Sequence, residues 1–513
     1  MHKRILGVFI LLIFLPTCRT RKPQPQAQSE TVSVNWEKVV RVSQTAATLQ
    51  VVVSPLLRRG SPLHDRIFQE LRNLNCDDVR YVPWLPYPKL AVPELEPPAS
   101  GKTSWDFSLI DPMTEDFMDA TAGHSVMMNF SVIPEWMFKT PKPVHYPFDP
   151  NQVTWDYQQE TEFRDPSLKE VADYYARLVG WYTQGGFTDE DGRRHASGHH
   201  YKIDSWEVLN EIDLEHQMSP QTYTRVYDAI VSAIHKVAPH IKFVGVALSV
   251  TSRPDYFEYF LNHQNHKPGI PLDMISYHFY AFQQPGQDIA SEQYNFFDQV
   301  DGFLTAVRYI EDIRERLSPQ TQTAVDEMGA IANDDMHQDE PGHVAKPIPP
   351  AYWNLCAALY AYVYGNISRL GVNALGESAL AQLPGFFPSV TMVDWKTGQP
   401  NARYWVLKLI RQDFGPGDVL VATSTQAPST VLPQVYAQGF ITPDGKRKVL
   451  LVNKRDAPVQ VSLPGGSGGD MQYVDQQTGS KPAADARMSG DTLTLQPFAV
   501  AVVTLPSSQP QPK

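Results

Sequence analysis

The segment IDSWEVLNE, residues Ile203–Glu211, joins a short, mostly apolar run to a carboxylate that directly follows it. An amphipathic stretch comes next, at Pro220–Val237, and its spacing predicts a helix. The same order of apolar strand, loop and helix recurs on both sides of this segment. A chain that alternates strand and helix builds a parallel sheet, because each crossover helix returns the chain to start a parallel neighbour.

Eight such strands can be placed along the chain. They lie at Leu49–Val53, Val79–Trp84, Ser125–Ile133, Ile203–Asn210, Ile241–Leu248, Leu272–His278, Thr321–Glu327 and Gly371–Leu375. Helices are predicted at Pro62–Leu74, Leu168–Gln184, Pro220–Val237, Pro254–Asn262, after Asn295, at Ala351–Arg369 and at Ala402–Arg411. Eight strand–helix units close a parallel (β/α)8 barrel, the TIM barrel, which we predict over residues 31–414. A doubly wound open sheet is the alternative, but no glycine-rich phosphate loop follows the first strand.

The pattern changes after about residue 415, where short strands are separated by Gly, Pro and Asp turns. These strands lie at Lys448–Asn453, Val459–Leu463, Met471–Val474, Thr492–Leu495 and Val500–Leu505. They predict an accessory all-β sandwich domain over residues 415–506. Residues 31–48, which precede the first barrel strand and contain the β-like VSVNW, are expected to pair with this sandwich.

The N-terminus predicts export. A basic start, Met1–Arg4, precedes the apolar run Ile5–Leu15, which is too short to span a bilayer and typical of a signal peptide, here assigned to residues 1–18. The run ends near Cys18, which resembles the lipid-modified cysteine of a bacterial lipoprotein; cleavage of a plain signal peptide is the alternative. We expect a periplasmic, outer-membrane-anchored or extracellular protein whose membrane contact is limited to this anchor. Residues 19–30 and 507–513 are of low complexity and predicted to be disordered.

Composition excludes some classes of partner. The 513 residues include 44 Lys+Arg and 56 Asp+Glu, a formal net charge of -12, which argues against nucleic acid as a partner. Besides Cys18 the chain has Cys76 and Cys356, without a Cys-x-x-Cys spacing. Two such cysteines predict buried thiols, not a disulfide framework or a metal site. Oligomeric state is left open by the sequence.

Two glutamates close predicted barrel strands: Glu211 ends the fourth and Glu327 ends the seventh. Active sites of such barrels are built at the C-terminal ends of the strands. Cleavage of a glycosidic bond needs two carboxyl groups beside one carbon, one to donate a proton and one to attack the sugar or activate water. A single glutamate at a strand end is more often a solvated loop residue, but the pair predicts a glycosidase.

The motif Asn210-Glu211 after strand four, with Glu327 after strand seven, resembles the signature of clan A glycoside hydrolases. The chain also resembles glycoside hydrolase family 39, which includes β-xylosidases and α-L-iduronidases. The matching segments are VRYVPW, PEWMF, WEVLNEIDL, MISYHFYA, TAVDEMGA, KVLLVNKR and LQPFAVAVV, within residues 35–505. The resemblance implies a retaining enzyme that acts on oligosaccharides or polysaccharides by double displacement, with neither a metal nor an organic cofactor.

The resemblance also implies a role for each matching residue. Glu211 matches the general acid/base and Glu327 the nucleophile, which must be ionised. Asn210 matches the asparagine that hydrogen-bonds the 2-hydroxyl of the sugar, a contact that strengthens in the transition state. His278 and Tyr280 match residues that orient the nucleophile and contact sugar.

Further candidates come from position. Arg80, near the end of strand two, is expected to hold Glu327 charged through a bidentate pair, or else to form a structural salt bridge. Trp84 and Trp136, after strands two and three, are expected to form a sugar platform. Asp326 competes for the nucleophile role, but adjacent strand residues point to opposite sides, so we expect only one of Asp326 and Glu327 to face the cleft. The family position favours Glu327.

Two departures from the clan leave the sugar open. Ile212 follows Glu211 where relatives often have proline, and Asp326 precedes Glu327 where Thr or Ser is common. An exo-acting β-xylosidase is our first expectation; an α-L-iduronidase, an α-L-arabinosidase or an endo-acting polysaccharide hydrolase is the alternative. A non-catalytic carbohydrate-binding barrel is the rival from another class. For the retaining mechanism, the carboxyl carbons of Glu211 and Glu327 should lie roughly 5 Å apart, not about 6.5–9.5 Å as in inverting enzymes.

Overall fold

The computed structural model of the chain describes residues 29–140, 145–427 and 432–506. The predicted signal peptide with Cys18, most of the predicted linker and the predicted C-terminal tail lie outside the described residues. The helices in this part of the chain are α1 (His64–Leu74), α2 (Pro88–Ala91), α3 (Asp111–Ala120), α4 (Lys169–Thr183), α5 (Pro220–Val237), α6 (Pro254–Phe260), α7 (Ile289–Leu317), α8 (Pro350–Leu370) and α9 (Ala402–Asp413). None of them is long and apolar enough to cross a membrane.

The strands are numbered in chain order through the same residues. They are β1 (Ser29–Val42), β2 (Ala46–Val52), β3 (Val79–Val82), β4 (Val126–Met128), β5 (Gly186–Thr188), β6 (Arg194–Ala196), β7 (Ser205–Glu207), β8 (Lys242–Leu248), β9 (Met274–Phe282), β10 (Gln322–Ile331), β11 (Ala374–Glu377), β12 (Val419–Gln426), β13 (Val435–Ile441), β14 (Arg447–Asn453), β15 (Val459–Ser462), β16 (Asp470–Val474), β17 (Ala484–Arg487), β18 (Thr492–Leu495) and β19 (Val500–Thr504).

Eight parallel strands close into a barrel in the order β2, β3, β4, β7, β8, β9, β10 and β11, with β11 paired back to β2. The predicted (β/α)8 fold is therefore confirmed. The strands are apolar because each is covered on the inside by barrel residues and on the outside by helices, and β2, for example, is buried from Ala47 to Val52. Since all eight strands run the same way, their C-terminal ends meet at one mouth.

Local signals explain where the elements begin and end. Ser219 caps α5 by accepting a hydrogen bond from the backbone N–H of Thr222, and Pro220 takes the first helical position. A capping box between Asp288 and Ser291 starts α7 at Ile289, ahead of the predicted start after Asn295. The short helix α3 and the hairpin of β5 and β6 were not predicted.

A nine-stranded sheet forms the accessory sandwich domain, in the order β17, β16, β19, β14, β13, β12, β1, β15 and β18. Residues of β15 and β18 share a buried apolar core with residues of β13, β14 and β19, so the sheet folds over on itself. The other face packs on the barrel, where the rings of Phe414 and Phe440 lie 4.3 Å apart and those of Tyr362 and Tyr436 lie 5.1 Å apart.

Strand β1 belongs to this sheet: it pairs antiparallel with β12 and parallel with β15. It begins at Ser29, so the last two residues of the linker predicted as disordered are ordered. The reason is the side chain of Glu30, which accepts hydrogen bonds from the backbone N–H groups of Gln434 (2.7 Å) and Val435 (3.0 Å). Cys76 and Cys356 are free, buried thiols, as predicted.

Candidate active site

A cavity of about 790 Å³ opens at the C-terminal ends of the barrel strands. Of the eight residues predicted to form a site, it is lined by Trp84, Asn210, Glu211, His278, Tyr280 and Glu327. The loop at 379–398 adds Gln382, Phe387 and Val390 to its wall, whereas the proline-rich segment 85–113 adds no lining residue.

Glu211 and Glu327 face each other across this cavity. One carboxylate oxygen from each and a ring nitrogen of His278 lie within 4.8 Å of one another. His278 Nδ1 is 3.0 Å from Glu211 Oε1 and 3.6 Å from Glu327 Oε2. One oxygen of Glu211 and one of Glu327 therefore lie within 4.8 Å of each other, in the range of the short spacing of about 5 Å between the carboxyl groups of retaining glycosidases.

The surroundings of Glu327 favour its ionised form. Its Oε1 accepts a hydrogen bond from Arg80 Nη1 at 2.5 Å, and its Oε2 accepts one from the hydroxyl of Tyr280 at 2.7 Å. Burial alone would raise the pKa of Glu327, but the positive charges of His278 and Arg80 and these hydrogen bonds outweigh burial and hold the pKa below its ordinary value.

Glu211 is different. Burial raises the pKa of Glu211 above its ordinary value and the negative charge of Glu327 adds to the rise, although the contact with His278 partly opposes it. The backbone is strained here: Leu209 has φ 65° and Glu211 has φ 39°, values that residues other than glycine rarely adopt. The positive φ angles at Leu209 and Glu211 change the direction of the chain after β7, where Asn210 and Glu211 line the cavity.

Beneath the two glutamates lies the buried guanidinium of Arg80. It does not form the predicted bidentate pair with Glu327, because its donors are divided among several acceptors. Besides Glu327, these acceptors are Glu207 (2.6 Å), Asn210 Oδ1 (2.5 Å) and Gln50 Oε1 (2.8 Å). Asp326 lies close as well, with its Oδ2 3.0 Å from Nε of Arg80. Arg80 therefore ties the floor of the site together while giving Glu327 one strong contact.

Asp326 and Glu327 contact the same neighbours, Arg80 and His278, although of the two only Glu327 lines the cavity, as predicted. The register of β10 shifts between Val325 and Glu327 against β9, a β-bulge that breaks the alternation of side chains. As a result both carboxyl groups reach Arg80 and His278, with His278 Nε2 3.6 Å from Asp326 Oδ1. Asp326 lies below the cavity and does not line it.

Asp326 and Glu207 form a buried acidic pair that the sequence did not reveal. Burial and the adjacent Glu207 raise the pKa of Asp326 well above its ordinary value. The pKa of Glu207 is lowered instead: burial opposes ionisation, but Arg80, Asp326 and the hydroxyl of Ser276 outweigh it. The opposed shifts make Asp326 the member of the pair that keeps a proton more readily, and Glu207 the member that ionises more readily.

Asn210 is held at both ends of its amide. Its Oδ1 accepts from Arg80, and its Nδ2 donates to Glu215 Oε1 at 2.7 Å. Glu215 Oε1 also accepts from Trp84 Nε1 at 2.6 Å. Burial, together with the nearby Glu211, raises the pKa of Glu215 from 4.5 to about 8. Sequence reasoning missed Glu215 because a glutamate in a loop is typical of a solvated residue.

The two predicted tryptophans have different surroundings. Trp84 lines the cavity and packs edge-on against Trp155, with ring centroids 5.5 Å apart. The prediction for Trp136 is wrong: its side chain is only 5% exposed and lines no part of the cavity. Its indole N–H donates to the backbone carbonyl of Glu94 at 2.8 Å, which turns the ring into the core.

Two polar residues on the cavity wall were not predicted. Gln50 Nε2 donates to Ser378 Oγ at 2.5 Å, and Ser378 Oγ lies 2.6 Å from the hydroxyl of Tyr280, which binds Glu327. Gln50 also accepts from Arg80, so Gln50 and Ser378 link the two groups that hold Glu327. Serine and glutamine at strand ends are too common to single out from sequence.

Within the described residues, Glu211, His278 and Glu327 bring three donor atoms close enough to meet one metal ion. The chemistry of the set fits a metal poorly. The neighbouring carboxylates overcome burial and raise the pKa of His278 to about 10, so the ring is a cation without a free lone pair. One oxygen of Glu327 already accepts a hydrogen bond from Arg80.

Solved structures share the architecture of this chain, a closed (β/α)8 barrel with an accessory all-β domain. The chain is similar to the family 51 arabinofuranosidase from Xanthomonas axonopodis pv. citri, with a TM-score of 0.63, 12% identity and coverage of 93% of this chain and 100% of the other. It is similar to the family 51 α-L-arabinofuranosidase from Bifidobacterium longum at a TM-score of 0.61 and 13% identity, over 94% of this chain and 100% of that one.

The catalytic domain of the family 30 xylanase C from Talaromyces cellulolyticus gives a TM-score of 0.58 and 12% identity, over 93% of this chain and 100% of that domain. At these identities the likeness establishes the fold alone, and the resemblance to family 39 stays a prediction. Residues 433–503 match the C-terminal immunoglobulin-like domain of D-apionate lactonase. A search of curated proteins found no match.

Proposed function

We propose that this protein is a retaining glycoside hydrolase in which Glu327 is the nucleophile and Glu211 the general acid/base. The observation that carries the proposal is the opposed pKa shifts of two carboxyl groups that face one cavity within 4.8 Å. The surroundings favour the ionised form of Glu327 and the protonated form of Glu211, which is the division of roles that double displacement requires.

In the first step a Glu327 oxygen attacks the anomeric carbon as the bond from that carbon to the leaving oxygen breaks. Glu211 gives its proton to the leaving oxygen, and a glycosyl ester forms on Glu327. In the second step water attacks the same carbon, Glu211 takes a proton from the water, and the ester bond to Glu327 breaks. Two inversions give net retention.

The hydrogen bonds of the site support this assignment. Arg80 and Tyr280 hold both oxygens of Glu327, so one fixed geometry meets the anomeric carbon. The amide of Asn210 donates to Glu215 through one N–H and keeps the other for the 2-hydroxyl of the sugar. Because two carboxyl groups complete the reaction, the proposal assigns no cofactor.

A β-xyloside is our first choice of substrate, as the family 39 resemblance implies. An α-L-arabinofuranoside comes next, because two of the similar structures are named as enzymes for that sugar. A panel of 4-nitrophenyl glycosides that includes β-D-xyloside, α-L-arabinofuranoside and α-L-iduronide tests the choice. A non-catalytic sugar-binding barrel would hydrolyse none of these and still bind sugar.

The nucleophile is tested with Glu327→Ala. Hydrolysis of the best aryl glycoside should fall by at least about 10⁴-fold, and added azide should restore consumption of substrate as a glycosyl azide of inverted configuration. Glu315→Ala, which removes an exposed carboxylate on α7, is the matched control and should keep wild-type activity. An azide product of retained configuration would contradict the assignment.

The acid is tested with Glu211→Ala on aryl glycosides of graded leaving-group pKa. Activated leaving groups need no proton, so their hydrolysis should be spared in the first step, whereas poor leaving groups should lose about 10²–10⁴-fold. Equal losses across the series would rule out Glu211 as the proton donor.

The match of residues 433–503 favours one second candidate, hydrolysis of the cyclic ester of a sugar acid. A carboxylate can activate water for attack on a lactone carbonyl, and an acid can protonate the leaving alkoxide. The matched domain, however, contributes no residue to the cavity wall. Aldonolactones added to the same panel distinguish the two activities: lactone hydrolysis without glycoside hydrolysis would replace our proposal.

We also propose that the protein is exported, on the strength of the basic start and apolar run before Cys18. Fractionation of cells expressing the full chain should recover the protein outside the cytoplasm. Labelling with a fatty-acid analogue, and its loss in Cys18→Ser, tests lipidation.

A further inference from the structure

Glu215 lies directly behind two residues of the cavity wall. Trp84 Nε1 donates to Glu215 Oε1 at 2.6 Å, and Asn210 Nδ2 donates to the same oxygen at 2.7 Å. Of these three residues only Trp84 and Asn210 line the cavity. Glu215 is therefore placed to act on a bound sugar through these two neighbours, without touching the sugar itself.

A tight turn after β7 brings the carboxyl group of Glu215 to this place. The backbone N–H of Glu215 donates to the carbonyl of Glu211 at 2.7 Å, and that of Met218 donates to the carbonyl of Ile212 at 2.9 Å. The turn starts at Glu211, where the backbone has the strained φ of 39°. The position of Glu215 is thus set by the same turn that presents the proposed acid.

The amide of Asn210 needs both of its hydrogen bonds to hold one orientation. Its Oδ1 accepts from Arg80 at 2.5 Å, and this bond decides which end of the amide faces the barrel floor. A planar group held by one hydrogen bond can still turn about that bond, so the second bond, to Glu215, fixes the plane. The remaining N–H of Asn210, which the proposed function assigns to the 2-hydroxyl of the sugar, then has a single direction.

The indole of Trp84 is also held from two sides. Its ring packs edge-on against Trp155, with centroids 5.5 Å apart, and lies 5.6 Å from the ring of Phe386. Contacts between rings leave an indole free to slide in its own plane, whereas the hydrogen bond from its N–H to Glu215 fixes its edge. Trp84 and Asn210 are consequently linked through one oxygen atom.

We propose that Glu215 is a positioning residue that holds Asn210 and Trp84 as one unit, so that recognition of the 2-hydroxyl of the sugar depends on it. This inference rests on the proposed function. Burial and the nearby Glu211 raise the pKa of Glu215 from 4.5 to about 8, which favours its neutral form near neutral pH. A neutral carboxyl group keeps an acceptor oxygen for the two donors, as the amide of a glutamine would.

The test compares the best aryl glycoside of the panel with its 2-deoxy analogue, in the full-length protein. The ratio of their kcat/KM values should fall by about tenfold in Glu215→Ala, mainly through a lower kcat for the 2-hydroxyl substrate, because that contact strengthens in the transition state. The conservative variant Glu215→Gln retains an acceptor for both donors and should keep the ratio within about twofold. Equal losses on the two substrates in Glu215→Ala are the mark of a purely structural role and would overturn the inference.

Trp84→Phe provides a second measurement, which decides the question even where Glu215→Ala does not fold. Phenylalanine keeps an aromatic ring but has no N–H to donate. If Glu215 holds the two residues as one unit, the same ratio should fall by about threefold or more, although the lost N–H belongs to the ring; an unchanged ratio would overturn the inference. If the wild type hydrolyses no aryl glycoside, the proposed function itself fails; if it does and the ratio is the same in every variant, only the role of Glu215 fails.

Discussion

Glu327 and Glu211 face the same cavity, yet their surroundings differ. Glu327 has a partner on each oxygen, Arg80 and Tyr280, and a cationic ring beside it. Glu211 has one close partner, His278, and two other carboxyl groups, Glu327 and Asp213, that disfavour its charge. The contrast shows that the position of a carboxyl group at a strand end does not decide its role. The charged groups in the barrel floor do, because they set the pKa of each carboxyl group.

Positive and negative groups alternate beneath the mouth. Beside the cations Arg80 and His278, the surroundings lower the pKa values of Glu207 and Glu327 and raise those of Asp326 and Glu211. A buried cluster of this kind is stable only while every charge keeps its counter-charge. Removing single members of the cluster should therefore have graded effects, and these effects test the contrast between the two glutamates.

The largest effect is expected from Arg80→Met. It leaves Glu207 and Glu327 without their shared cation, so the free energy of unfolding should fall by about 3–5 kcal/mol. Turnover should fall by about 100-fold or more, because the pKa of Glu327 rises. Chemical denaturation and the pH dependence of kcat/KM measure the two effects. Arg80→Lys keeps the positive charge but lacks the several donors of the planar guanidinium, so it should be more stable than Arg80→Met and less stable than the wild type. Unchanged stability in Arg80→Met would mean that the cluster does not depend on this charge.

His278→Gln should move the whole pH profile. The cationic ring lowers the pKa values of both glutamates, so its loss should shift the acid and basic limbs of kcat/KM to higher pH, each by roughly 1 unit. His216→Gln is the matched control. It replaces a buried histidine whose pKa is lowered by burial to about 4, so that it is neutral, and neither limb should move. If both limbs of the kcat/KM profile stay at the same pH in His278→Gln, the ring of His278 is uncharged in the wild type.

Glu215→Gln should change stability in a pH-dependent way. The folded protein holds the proton of Glu215 up to a pKa of about 8, whereas the unfolded chain releases it near 4.5. The folded state therefore binds more protons in this window, and wild-type stability falls as pH rises. The variant should gain relative to the wild type by at most about 1.4 kcal/mol per pH unit between about pH 5 and 8. Unfolding free energies at three pH values measure the gain; a constant difference would mean that Glu215 is ionised throughout.

Much of the fold could be predicted from the sequence because each barrel strand is an apolar run followed by an amphipathic helix. Pro220–Val237 begins and ends as predicted, since Ser219 and Pro220 are strong start signals. The strand at Ser125–Ile133 was predicted too long: β4 covers Val126–Met128. The apolar residues that follow β4 are buried in a loop, and hydrophobic periodicity cannot distinguish a buried loop from a buried strand.

The two facing glutamates, Glu211 and Glu327, were predicted from their places after two strands, but most of the residues that hold them were not. Gln50, Glu207, Glu215 and Ser378 act through contacts with residues distant in sequence, and no local pattern marks them. The contacts of Asp326 with Arg80 and His278 were not predicted for another reason. We assumed that side chains alternate through strand seven, whereas the bulge in β10 lets both Asp326 and Glu327 reach these two residues, although only Glu327 lines the cavity.

That bulge leads to the smallest expected effect, in Asp326→Asn. If Asp326 is neutral in the wild type, the amide has its shape and charge and can still donate to the Glu207 carboxylate. Stability should then change by less than about 1 kcal/mol, and kcat by less than about threefold. Glu327→Gln, the same change at the adjacent residue, should abolish turnover, because it removes the attacking oxygen's charge. A large loss of turnover in Asp326→Asn that azide restores would assign the nucleophile role to Asp326. The pair of carboxyl groups with opposed roles would then be Asp326 and Glu211.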